Sequence, residues 1–598
     1  MSKRAHGQIR RGQVITTYGP GALIDLPREA AIVAGLESWP RPQDLEEVVE
    51  PRLTAKLEKI TGLKSPPLYS PPPESTDYRE SVRGIDAYRF PEWCVVQEPL
   101  GGDERARSRR LVPRTALVKG RFEGHPVVPT RFVRACPRGH VDDIDWYAFV
   151  HSDSGDRCRR QLWLDERGTG GDLADLVVRC ECGKQRLLYE AAQIEERQLG
   201  TCRGARPWLG RNASEPCSHP SRLLIRTASN AYFPQVVSVL SLPDRGSVVE
   251  TAVRELWDNL QLVKNLENLE YERQRPKVAQ ALAPYNDDDV LAAIENVRTG
   301  RGSDRPVKQV ELDAILAAPE GFGDDDVPID PNFHARRLPD RAWRHSTRFD
   351  AVERIVQLHR LREILALIGF TRLEAITPDI QGEFESDVQR AELAIEPRWF
   401  PAVENRGEGL FLQLQADAIE EWLERPAVAQ RLERLARGHQ LWADDRRSKR
   451  TFPGGPYVLL HTLSHLLIQS VAMRCGYPAS SIRERIYVDP TSGHYGLLLY
   501  TGSPDAEGTL GGLVQQGRHV EDHLVHALHQ ATLCSHDPIC SQHQPGESLE
   551  RRWLHGAACH GCALVAETSC EMRNDYLDRA LVAPVIGVAD AAFFRGVG

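Results

Sequence analysis

The spacing of the cysteines constrains this chain more than any other feature. Five of its 13 cysteines crowd into residues 534–570: Cys534 and Cys540, then Cys559-His-Gly-Cys562, then Cys570. The two-residue gap with its glycine is a knuckle, a turn that aims both sulfurs at one point. Thiolate is a preferred ligand of zinc, and four ligands close a tetrahedral structural site. Single buried thiols are common as packing residues, but five so close together point to metal. Cys534, Cys540, Cys559 and Cys562 are the expected ligands, with Cys570 as a replacement for Cys534.

A looser set lies upstream: Cys136, Cys158, Cys180, Cys182, Cys202 and Cys217, accompanied by His140, His151 and His219. Cys180-Glu-Cys182-Gly is a tightened knuckle, and Cys202 and Cys217 follow at ribbon-like distances. These four are the expected second zinc site, and Cys136, His140, His151 and Cys158 are candidates for a third. Cys94 and Cys475 stand apart and read as packing residues.

Metal rather than disulfide also follows from the compartment. The N-terminus is basic but has no apolar core segment or small-residue cleavage site behind it, and no run of about 18 apolar residues occurs. A cytoplasmic protein with no membrane segment is expected, where thiols stay reduced.

At 598 residues the chain exceeds the roughly 150 of one compact domain. Punctuation and texture suggest four units. Residues 1–90 end beyond the proline-rich stretch 65–75, and 91–246 form a cysteine-rich zinc-binding region of knuckles, ribbons and short strands. A mainly helical middle domain spans 247–450, because Trp257, Leu260, Val263, Leu266 and Leu269 recur at helical spacing and Ala351–Ile368 reads as a second helix stopped at Gly369. Residues 451–598 read as a mixed α/β zinc-binding domain, with an apolar helix from Pro456 to Cys475 and a strand pair near 486–488 and 495–500. The fold class expected is therefore α+β and multidomain.

Other chemistry is thinly encoded. His461 and His465 sit four apart on the apolar helix, but HTLSH lacks the glutamate of a zinc peptidase. A metal-dependent hydrolase or nuclease would use these two histidines with carboxylates such as Glu484 or Asp578; the plainer reading is histidines satisfied by hydrogen bonds or solvent, as for His519, His523 and His526. No phosphate-binding G-x-x-x-x-G-K-[ST], G-x-S-x-G or dinucleotide fingerprint is present, so no ATP hydrolysis is expected of the chain alone. Net charge is −9, which gives no general attraction for nucleic acid. Residues 101–140 nonetheless hold ten Lys or Arg against three acids. Arg105, Arg107, Arg109, Arg110, Arg114 and Lys119 are the candidate phosphate contacts there.

Several stretches are more specific: IRRGQVITTYGPGALIDL, RACPRGHVDDIDWYAFVH, CRGARPWLG, RTASNAYFPQVVSV, HTLSHLLIQ, RERIY, GTLGGL, CHGC and ETSCEMRNDYLDR. Together they resemble the DrmB family of the DISARM anti-phage system, over about two thirds of the chain. The C-terminal part is similar to a cysteine-bearing domain that follows the motor in some superfamily-two DNA helicases. The resemblance implies a non-catalytic partner of the DISARM helicase DrmA that assists its engagement of phage DNA. It offers no catalytic residues, and it places the family's four-cysteine zinc site on Cys534, Cys540, Cys559 and Cys562. At Pro91-Glu-Trp-Cys94 the second cysteine of a related element is absent, so no zinc is expected at Cys94.

Overall fold

A computed structural model describes residues 9–596 apart from 27–28, 74–83, 99–106, 152–157, 168–171, 194–196, 243–248, 250–251, 284, 300–305, 324–325, 327, 329, 383, 385–388, 447, 503–511 and 547–551. Its centre is a seven-stranded sheet. The main path runs Phe233–Leu240, Val352–Thr371, Phe400–Leu414, His494–Thr501 and Ile482–Asp489, every neighbour antiparallel. Phe333–Arg337 adds to the long strand, and Leu68–Tyr69 pairs parallel with the start of Phe400–Leu414.

Both faces of this sheet are covered. Leu410, Leu412, Leu497 and Leu499 point into the core shared with helix Gly455–Cys475, whereas Phe411, Leu498 and Tyr500 point to the opposite core with Leu312 and Ile315 of helix Val307–Leu316. The two-residue alternation of a strand thus sends successive apolar residues into two different interiors.

Double coverage also corrects the sequence-based reading of Ala351–Ile368, which is a strand, not a helix. From Ile364 to Thr371 the strand is buried on both sides. A continuous apolar run then satisfies a helical repeat as well as a strand repeat, and spacing alone does not separate them. With strands of 20 and 15 residues, the middle of the chain supplies the spine of the sheet. Its helices lie on either side in sequence. The earlier group, Trp257–Leu260, Leu266–Arg273, Pro276–Leu282 and Asp287–Thr299, packs around its own small core. The first two of these are separate helices, the second capped by the Asn265 side chain, so Leu266 is exposed while Leu260, Val263 and Leu269 are buried. The later group is Ala416–Leu423 and Pro426–Arg446.

Helix Gly455–Cys475 forms as its sequence indicates and ends at Gly476, whose φ of 72° is the left-handed conformation that a C-terminal cap requires. The strand pair after it extends over Ile482–Asp489 and His494–Thr501. Apolar as that helix is, its lining is protein: no described helix is long and apolar enough to cross a membrane.

The cysteine-rich region contributes two further sheets. Phe132–Ala135 lies between Val141–Asp142 and Arg222–Ile225, and a second seven-stranded sheet includes Arg107–Pro113, Leu162–Glu166, Leu176–Cys180 and Gln185–Leu187.

Candidate metal centres

Cys534, Cys540, Cys559 and Cys562 come together with all four sulfurs within 4.8 Å of one another. Cys534 is 3.5 Å from Cys559, Cys540 is 3.8 Å from Cys562, and the two knuckle sulfurs are 3.7 Å apart. Backbone N–H groups point at them: His536 donates to Cys534, Gly561 to Cys559 and Cys559 to Cys562. Donors aimed at sulfur stabilise the thiolate, the form that binds metal. Cys570 stands away from this set, buried beside His461.

The upstream cysteines form two clusters rather than one. Cys202 and Cys217 join Cys136 and His140; Cys180 and Cys182 join His151 and Cys158. The expected grouping of Cys180 and Cys182 with Cys202 and Cys217 is thereby corrected, and the residues assigned to a third site are shared between these two. Topology explains the division. Cys136 and His140 sit in the turn between Phe132–Ala135 and Val141–Asp142, and the segment carrying Cys202 and Cys217 leads into Arg222–Ile225, the other neighbour of the same strand. His151 ends helix Trp146–His151, Cys180 ends a strand of the larger sheet, and Cys158 and Cys182 lie beside it. One site is nested within the other along the chain.

Each histidine is oriented for ligation by the hydrogen bond on its other nitrogen. His140 Nε2 donates to Glu215 Oε1 at 2.8 Å, leaving Nδ1 facing Cys136 at 3.4 Å and Cys202 at 3.5 Å. His151 Nδ1 donates to the Tyr147 carbonyl at 2.8 Å, leaving Nε2 at 3.2 Å from Cys182. Gly204 is required beside the first cluster, because its φ is +66° and a Cβ there would lie 1.6 Å from the Glu215 carbonyl oxygen. Its own N–H donates to Cys202. The Cys182 thiol is lowered to about 6, chiefly by the N–H of Lys184 and then by His151. All three donor sets, four cysteines or three cysteines and a histidine, suit zinc.

The nested arrangement has a direct test. Cys182→Ser and Cys217→Ser are each expected to remove about one zinc per chain, and the double variant about two. Elemental analysis giving only one lost equivalent in the double variant would put the two cysteines back in a shared site.

Three of the six candidate phosphate contacts are engaged elsewhere. Arg109 pairs with Glu166 at 2.7 Å, Arg110 with Glu98 at 2.8 Å and Glu123 at 2.6 Å, and Arg114 with Glu29 at 3.0 Å. Lys119 is exposed at a turn. Arg105 lies outside the described residues, and of Arg107 only the backbone is described, at the start of its strand.

The residues of the hydrolase reading divide. Asp578 is fully buried, accepts from Arg431 Nε at 2.6 Å and Nη2 at 2.9 Å, and caps Arg579–Val582, so it is a structural anion. Glu484, in contrast, lies against His461 and His465. His523 and His526 both reach Ser470, as satisfied histidines should.

Residues 463–563 match the family described as the MrfA Zn-binding domain, and residues 10–233 match a domain of unknown function, DUF8724. All four cysteines of the C-terminal cluster fall inside the first match, whereas His461 and Cys570 fall outside it. Among solved structures, the DUF1998 helicase MrfA bound to DNA aligns with 38% of this chain and 25% of its own, at 11% identity and a TM-score of 0.18, too low to support an argument. The DISARM protein DrmB of Bacillus paralicheniformis is 32% identical over 491 residues, which is 78% of this chain and 83% of the relative. With identity at that level over most of both sequences, the chain belongs to the DrmB family of DISARM proteins.

Proposed function

We propose that this protein is a non-catalytic, zinc-stabilised subunit that binds the DISARM helicase DrmA in the cytoplasm and helps it engage phage DNA. The observation that carries the reading is that each cysteine cluster closes on four protein donors of its own. Catalytic zinc keeps a position for water or substrate, whereas four protein ligands make a structural site. Family membership supports the defence role, and reduced thiols in three clusters suit a cytoplasmic setting. DNA contact in the complex falls to basic groups not already paired. Arg109 and Arg110, on the central strand of their sheet, and Arg114, just after it, are held by carboxylates of the same chain instead.

Purified alone, the protein is expected to hydrolyse ATP no faster than a buffer blank and to co-purify with the co-expressed helicase. DNA binding by the complex should weaken steeply with salt, as phosphate contacts do. Sustained ATP turnover by the isolated chain would overturn the reading. So would a divalent-metal-dependent nick in plasmid DNA that is lost in His465→Ala.

A further inference from the structure

A fourth cluster is built in the core of the C-terminal region rather than in a cysteine-rich loop. His461 and His465 lie one turn apart on helix Gly455–Cys475, with ring centroids 4.7 Å apart and planes nearly perpendicular. Strand Ile482–Asp489 brings Glu484 to them, and the turn after Ser569 brings Cys570. His461 Nε2 is 2.9 Å from Glu484 Oε1 and 3.1 Å from Cys570 Sγ, and His465 Nε2 is 3.3 Å from the same carboxylate oxygen. Both imidazoles are 0% exposed, Glu484 3% and Cys570 8%.

The competing account is a buried hydrogen-bond network with no ion, and the donors and acceptors argue against it. His465 Nδ1 donates to the Ala563 carbonyl at 2.8 Å, so the neutral ring turns the lone pair of Nε2 towards the carboxylate. Two acceptors then face each other unless the ring is charged in the core, which is expensive without full pairing. Glu484 already accepts from the Ser464 hydroxyl and from the N–H of Glu571, the setting of an ionised carboxylate. Cys570 accepts from two backbone N–H groups, Met572 at 3.3 Å and Asn574 at 3.1 Å. Backbone N–H groups likewise donate to Cys202, Cys534 and Cys559 in two of the loop clusters and to Cys182 in the third, whereas Cys94 and Cys475 accept no such bond among the described residues. A carboxylate, a thiol and two imidazoles thus converge where one cation would satisfy all four.

We propose that His461, His465, Glu484 and Cys570 hold a fourth metal ion, a zinc of mixed nitrogen, oxygen and sulfur ligation. Imidazole and thiolate select zinc over magnesium or calcium, which prefer all-oxygen sites. Four protein ligands make it a structural ion, tying the helix, the strand and the 567–574 turn together. Its neighbour Glu571 extends that tie to Lys308 at 2.8 Å and Tyr457 at 2.7 Å. Glu484 and Cys570 also line a cavity of about 680 Å³.

The test uses the full chain purified without chelator or added metal. An anomalous difference map at the zinc edge should show a peak among these four side chains in addition to the three loop clusters. In solution, Cys570→Ala should lose about one zinc equivalent while the loop clusters keep theirs, and cobalt loaded into the wild type should lose the matching share of thiolate absorption in that variant. Because substitution in the core can impair folding, the map from the wild type stands by itself. Peaks at the three loop clusters with none among His461, His465, Glu484 and Cys570 would overturn the proposal, as would an unchanged zinc content in folded Cys570→Ala.

Discussion

Replacing Cys562 by serine is expected to release the C-terminal zinc and to lower Tm by more than about 10 °C. The reason is the poverty of other structure around it. From Cys534 to Asp578 the described chain runs as turns and bends, and regular structure resumes only at Arg579–Val582. Leu577, Ala580, Leu581 and Val582 are nevertheless fully buried, Leu581 and Val582 in the core shared with helix Gly455–Cys475. A segment held by turns, with no helix or strand of its own among the described residues, stays in place because its ends are fixed, and the zinc cluster is one of those fixings. Apparent binding energy at structural zinc is on the order of 10 kcal/mol, comparable to the ~5–15 kcal/mol that holds a whole domain folded. Losing one of four ligands therefore removes a large share of local stability. Zinc released to a chromogenic chelator, read beside thermal unfolding, checks both halves; full zinc content in the variant would contradict the assignment.

The second large effect is expected at Glu311, which lies on helix Val307–Leu316 and is fully buried. It accepts from Arg485 Nε at 2.7 Å and Nη2 at 2.9 Å, from the N–H of Leu240 at 2.9 Å and from the Tyr487 hydroxyl at 3.3 Å. One carboxylate thus joins the helix to two strands of the central sheet. Glu311→Ala leaves the Arg485 guanidinium buried without its partner, a change worth roughly 3–5 kcal/mol. Glu311→Leu combined with Arg485→Met removes both charges, and most of the loss should return. Denaturant melts of the three proteins decide the matter. If the double variant is no more stable than Glu311→Ala, the loss comes from packing, not from an unpaired charge.

How much could be read in advance depends on where each partner lies along the chain. Cys534, Cys540, Cys559 and Cys562 are close in sequence and share a knuckle, so their convergence is visible in the spacing. The upstream residues also carry the right chemistry, but the insertion of one cluster between the halves of the other defeats grouping by proximity: Cys182 is nearer to Cys202 in sequence than to His151. The long strand fails for a different reason, since burial on both faces erases the alternation that distinguishes strand from helix. Glu484 can be named from the sequence as a carboxylate partner of His461 and His465, whereas Cys570 lies in a distant segment and only the fold brings it to the histidines. Counting arginines near residue 110 likewise registers charge without its partners, because Glu29 and Glu166 arrive from distant strands and loops.

The central claim is that cysteines from separated loops converge on zinc and make this protein rigid. Zinc content and X-ray absorption of the untagged protein, purified without added metal, test it most directly. The account predicts at least three zinc equivalents per chain, with sulfur in the first shell at about 2.3 Å and nitrogen at about 2.0 Å. Less than one equivalent, or a first shell without sulfur, would contradict it.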